Sequence, residues 1–188
     1  MEHGLPWDPS AHEELVHAVS GVDRFRGPRW VRGFRAVSAQ IQDREARAAS
    51  TGAHSASAGV DDAVILRALV FAQRTRTVLA GLTRPRDYAG RRIVDVGAGT
   101  GAVALTALDH GASEVISLEI SRPERAWMLR AREHLSDPRW RIDARPVIDP
   151  QLAIPGDLWI FGFSLHELTA GDPQRGAELL SAVIEQGA

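Results

Sequence analysis

The chain has 188 residues, 44% of them hydrophobic, and a formal charge of −2 at pH 7, enough to bury one good core and with no global drive toward nucleic acid. It has no cysteine, which excludes disulfides, a cysteine nucleophile, Cys-ligated zinc and an iron–sulfur cluster of its own. Apart from its histidines every basic residue is arginine, so a Schiff-base lysine and the P-loop lysine are excluded too.

No apolar run approaches the length of a bilayer span, and the N-terminus MEHGLPWDPS lacks the basic and apolar regions of a signal peptide. The expectation is a cytoplasmic protein with no membrane contact. Residues 10–20 and 28–48 have helical spacing, the second opening at Pro28 with Trp30, Val31, Phe34, Val37 and Ile41 as its apolar stripe. The small, polar stretch STGAHSASAG at 50–59 is a loop or linker. A long third helix is predicted over 61–82, with Ile65, Leu66, Leu69, Val70 and Val78 as core. Residues 1–89 thus read as a helical region and 90–188 as a second unit. Arginines crowd the first, among them Arg29, Arg32, Arg35, Arg74, Arg76, Arg84 and Arg86. They form either a solvated helix surface or a basic face for RNA or an acidic partner.

From residue 92 strands and helices alternate: strand 92–96, helix 100–110, strand 114–120, helix 122–135, strands 139–143 and 157–163, and helix 172–186. This is the pattern of a parallel α/β sheet with right-handed crossovers. Its organising feature is RRIVDVGAGTG, a strand running into a turn with Gly97, Gly99 and Gly101 and then into an apolar helix. Glycines there let backbone approach a ligand, and the following helix N-terminus suits an anionic group. Glu119 lies near the end of the second strand, where a carboxylate accepts hydrogen bonds from both hydroxyls of a ribose. Asp143 closes the third strand, where a carboxylate can meet an adenine amino group. Gly97, Gly99 and Ala102 also satisfy the dinucleotide pattern G-x-G-x-x-G/A, so a nicotinamide or flavin dinucleotide, or a plain structural turn, stays open on spacing alone.

Asp95, two residues before the first glycine, and the third glycine at 101 complete VDVGAGTG, which strongly resembles motif I of the class I S-adenosylmethionine-dependent methyltransferases. The resemblance implies a Rossmann-like methyltransferase core preceded by helices, with S-adenosyl-L-methionine as cofactor. By position it implies cofactor contacts from Asp95, Gly97, Ala98, Gly99, Gly101, Glu119 and Asp143. The arginine-rich helical prefix, motif I and a fourth strand ending in DLWIFGFSLHEL resemble the Rsm22-like family, methyltransferase-like proteins of the mitochondrial ribosomal small subunit. Members often carry cysteines for an iron–sulfur cluster, and this chain has none.

His166 and Glu167 follow the fourth strand, at the end of the sheet that faces the ligand crevice in doubly wound folds. Each is a candidate general base for the methyl acceptor, His166 being matched to neutral pH, or else part of the pocket lining. Methyl transfer from a sulfonium is an in-line displacement, so positioning alone can supply much of the rate. His12, Glu13 and His17 miss the H-E-x-x-H spacing by one residue, and Gly162-Phe163-Ser164 lacks the closing glycine of a nucleophile elbow. No metal is expected. The resemblance implies seven strands where four are readable, so the expectation is a core incomplete after the fourth strand. Its apolar edge would be completed by an identical or different second chain, or covered by the N-terminal helices. The acceptor is not identifiable from any stretch. The favoured activity is methyl transfer, alone or as a cofactor-binding subunit. The alternative is a non-catalytic methyltransferase-like subunit acting on RNA or a protein partner.

Overall fold

The computed structural model describes residues 9–20, 64–65, 67–144, 156–162, 164 and 172–187. The helix expected over 28–48, the linker at 50–59, and His166 and Glu167 lie outside them.

Helix α1 spans Pro9–Ser20. The helix expected over 61–82 is not uniform: a π-helical turn over Arg67–Phe71 precedes α2, Ala72–Leu82. A π turn adds one residue to the helical ladder and so rotates everything after it by ~100°. Ala72, Arg76 and Leu79 face inward as a result, whereas Val78, expected in the core, is exposed. Ile65 is buried as expected, and Leu69 packs partly against the core.

Four strands follow: β1 at Arg92–Val96, β2 at Glu114–Leu118, β3 at Trp140–Asp143 and β4 at Leu158–Phe161. All pairs are parallel and the order is β3-β2-β1-β4, the arrangement of a Rossmann-like doubly wound sheet. Between them run α3, Ala102–Asp109, and α4, Arg122–Leu135; α5, Pro173–Gly187, comes last. Helix α3 is buried from Ala102 to Leu108, consistent with its almost wholly apolar sequence between the sheet and α2. In α4 a single stripe of Trp127, Met128 and Ala131 is buried, while Arg130, Glu133 and His134 face outward.

Side-chain alternation divides the sheet into two faces. Ile93, Val115 and Trp140 share one core with Leu15 and Val16 of α1, with Ala68, and with Leu105, Leu108, Trp127 and Met128. Val94, Val96, Ile116 and Leu118 form the other face with Trp159 and Phe161. Described residues before and after position 90 therefore share one core.

Polar contacts fasten the helices to it. His12 Nε2 meets the Ala68 carbonyl at 2.8 Å, and Arg67 pairs with Glu124, which also accepts from the Ser121 hydroxyl at the start of α4. Arg76 of α2 is paired with Asp109 of α3, its guanidinium almost wholly buried. Asp109→Ala removes the charged partner of that buried cation and is expected to destabilise the fold by about 2 kcal/mol. Arg76→Leu, which removes the buried charge itself, should be milder; urea denaturation of the two variants checks the order.

Candidate functional site

Parallel strands bring the carboxyl ends of β1, β2 and β3 to one edge, where Gly97–Gly101, Glu119 and Asp143 meet. Leaving β1, the Gly97 and Ala98 amides both donate to the Leu118 carbonyl, at 2.9 and 3.1 Å. The Gly101 amide then donates to the Ala98 carbonyl at 2.8 Å, closing the turn into α3. Gly97, Gly99 and Gly101 all have positive φ, at 65°, 55° and 80°, where side chains other than glycine's are strained. Two of them are crowded as well. A Cβ on Gly97 would lie 2.3 Å from the Ser164 Cβ, and one on Gly101 would lie 2.6 Å from the Trp140 ring. At Gly99 a Cβ would meet nothing within 4 Å, so this glycine presents bare backbone to open space.

Glu119 binds the loop from the next strand. Its Oε2 accepts from the Gly99 amide at 2.7 Å and its Oε1 from the Ser121 amide at 2.8 Å. Its own amide donates to the Asp143 carbonyl at 3.0 Å, and Arg125 donates to its carbonyl at 2.9 Å. The carboxylate is thus held between two strand ends by the Gly99 and Ser121 amides. Asp143, partly buried, is the last residue of β3 and pairs in register with Leu118.

Four residues hold this arrangement, three of them passed over in the sequence and Ser164 noted there as part of an incomplete nucleophile elbow. Trp140 Nε1 donates to the Ser117 hydroxyl at 3.0 Å while its ring lies against Gly101. Trp127 Nε1 donates to the Thr100 carbonyl at 3.2 Å. Ser164, buried, donates to the Val96 carbonyl at the end of β1, and Ser121 supplies the amide that holds Glu119. An indole opening β3, another on α4 and a serine after the fourth strand were the available signals, but nothing local says which groups they reach.

Asp95 does not reach the surface: it is 0% exposed, one strand position before the residue whose carbonyl Ser164 caps. Burial, then the negative charge of Glu119, pushes its carboxyl up to about 8; the Ala104 amide and Ser117 hydroxyl oppose this without offsetting it. An unfolded aspartate titrates near 3.8, so this group's contribution to stability is full below that pH and is lost as pH rises through about 8.

The site offers the Glu119 carboxylate, an adjoining bare backbone at Gly99 and a second carboxylate, Asp143, at the neighbouring strand end. Among the described residues no group of His, Asp and Glu is placed to hold a metal ion, and no helix is long and apolar enough to cross a membrane.

No family model matches the chain, and no curated protein matches it. Solved structures do. Magnesium protoporphyrin IX methyltransferase from Synechocystis, a structure with S-adenosylmethionine bound, is 17% identical with a TM-score of 0.45, over 84% of this chain and 68% of that one. A candidate RNA methyltransferase from Pyrococcus horikoshii is 23% identical with a TM-score of 0.39, over 48% of this chain and 42% of that one. A candidate methyltransferase from Escherichia coli is 18% identical with a TM-score of 0.39, over 46% and 49%. The chain spans less than half the length of the latter two.

Proposed function

We propose that the chain binds S-adenosyl-L-methionine across the carboxyl ends of β1, β2 and β3 and serves methyl transfer to an acceptor. The observation that carries this reading is the Glu119 carboxylate seated on the Gly99 amide. A carboxylate at the end of the second strand can accept from ribose hydroxyls, and its seat on the Gly99 amide disfavours a dinucleotide. A diphosphate drawn to the glycine loop and helix α3 would have to share the Gly99 amide with a carboxylate 2.7 Å away. A nucleoside without phosphates avoids that repulsion.

The residues present suit the cofactor. Gly99 allows close approach, Ala98 and Gly101 shape the loop, and Asp143 stands where an adenine amino group would be met. When bound, the cofactor supplies an electrophilic methyl group on sulfur. The chain's task is to hold the nucleoside in a water-poor crevice and to aim that end at the acceptor. His166 or Glu167, following the strand that Ser164 ties to β1, would take the acceptor's proton where one must leave. Among the described residues β4 pairs only with β1, so a second chain, identical or different, adding a strand there belongs to the same proposal.

A non-catalytic subunit binding RNA or protein, as the Rsm22-like resemblance implies, is the second reading. The exposed Arg84, Arg86 and Arg91 ahead of β1 favour it. Calorimetry on the intact chain separates the two: micromolar binding of both S-adenosylmethionine and S-adenosylhomocysteine is expected. No binding of either would rule out the cofactor reading, and an RNA affinity that falls steeply with salt would favour the second.

A further inference from the structure

Asp95 is unlike the other polar groups of the site because, among the described residues, no cation balances its charge. It is the fourth of five residues in β1, opposite Ser117 of β2 on one side and Ile160 of β4 on the other. Residues 95, 117 and 119 share the face of the sheet covered by α3 and α4. Neither Asp95 oxygen meets a hydrogen-bond donor in good geometry among the described residues. Ser117 already accepts the Trp140 indole N–H, so its own hydroxyl proton is left to turn toward Asp95. From α3 the facing group is the Ala104 amide. The titratable groups around it are Glu119, an anion, and Tyr88, a phenol from the turn before β1. None of these neighbours is a cation, so the buried carboxyl retains its proton near neutrality.

A protonated carboxyl directly under a ligand loop answers to the ligand's charge. S-adenosylmethionine and S-adenosylhomocysteine share the ribose, the adenine and the amino-acid end. They differ in one positive charge, on sulfur. Seating a cation at a low-dielectric loop favours ionisation of a nearby buried acid, and a neutral sulfur does not. Resting on the cofactor reading above, we propose that Asp95 is a specificity-determining residue that makes the site prefer the cationic methyl donor to its neutral product, by giving up its proton to solvent when the sulfonium is seated.

The sign follows from linkage. The free chain holds the proton up to about pH 8, while the donor complex holds it less tightly. Donor affinity therefore rises with pH until about 8 and then levels off, whereas product affinity stays flat across the same range. The gain is about tenfold for each pH unit by which the seated charge lowers the titration point.

The test is calorimetry of the full chain at pH 7.5 in phosphate and in Tris, whose ionisation enthalpies differ, together with NMR of protein carrying carboxyl-13C aspartate. Expected are net proton release on binding the donor, none on binding the product, and one aspartate resonance titrating far above the rest until the donor is added. Asp95→Asn, which mimics the protonated form, should remove that resonance and abolish the rise of donor affinity with pH. The proton count is taken on the wild-type chain, so the test survives a variant that fails to fold. Donor binding without proton release, equal release with both ligands, or all aspartates titrating near 4 would overturn the proposal alone. Failure of either ligand to bind would remove the cofactor reading and this proposal with it.

Discussion

Gly101→Ala is expected to destabilise the folded chain by about 3 kcal/mol and to abolish cofactor binding in whatever fraction remains folded. Two independent effects add. Gly101 has φ of 80°, where an added Cβ costs ~1 to 2 kcal/mol. The same Cβ would lie 2.6 Å from the Trp140 ring and 3.4 Å from the Met128 side chain. Trp140 cannot swing away freely, because its indole N–H is tied to Ser117 and the ring is fully buried. Overpacking of this kind typically adds ~1 to 3 kcal/mol. Gly99→Ala is the control: its φ of 55° carries the backbone strain, but the Cβ meets nothing within 4 Å. It should lose about 1 kcal/mol of stability while impairing ligand approach at the loop. Guanidinium denaturation of the two variants separates crowding from strain, and equal losses would mean that Trp140 does not brace the loop.

Glu119→Ala is expected to weaken S-adenosylmethionine binding by about 100-fold, equivalent to ~3 kcal/mol, the scale of hydrogen bonds to a charged acceptor. It should also cost ~1 kcal/mol of stability, because the Gly99 and Ser121 amides lose their acceptor. Glu119→Gln distinguishes these two losses. Its amide oxygen can serve one of the two backbone amides, but its NH2 faces the other, and the negative charge is gone. Stability should then be partly kept while affinity stays low. Removing the charge also removes the second contribution that holds the Asp95 proton, so in either variant Asp95 should titrate lower than in the wild-type chain. Calorimetry and a thermal melt on each variant check both parts. Wild-type affinity in Glu119→Ala would show that the carboxylate does not hold the ribose.

How much of this was legible in the sequence varies with the range of the interaction. The strand and helix runs from 92 to 144 were readable because their pattern is local: RIVDV and EVISL are short apolar runs buried on both faces, and the α4 stripe carries one face at the helical period. Parallel alternation then placed the loop, Glu119 and Asp143 at one edge, since successive strand ends must share a side. The helix over 61–82 was less readable. Its composition is helical throughout, and nothing local marks the π turn that rotates Val78 outward. Tertiary packing of Ile65 and Ala68 under α1 accompanies that change of ladder.

The sequence by itself determined that this chain builds a parallel α/β sheet and that its first strand opens into a glycine turn with an acidic residue after the second. Glycine spacing, β-branched runs and helix starts are properties of neighbouring residues, so they survive translation into structure. Only the tertiary structure decided that α1 and residues 64–68 join the same core and that Trp140 and Ser164 crowd Gly101 and Gly97. It also decided that Glu119 sits on the Gly99 amide and that Asp95 is sealed away without a counter-ion among the described residues. Ser164 reaches Val96 across 68 residues, and burial depends on every element that closes over a site. The charge balance of a buried carboxyl is set by what surrounds it in space, and no local pattern of residues contains that information.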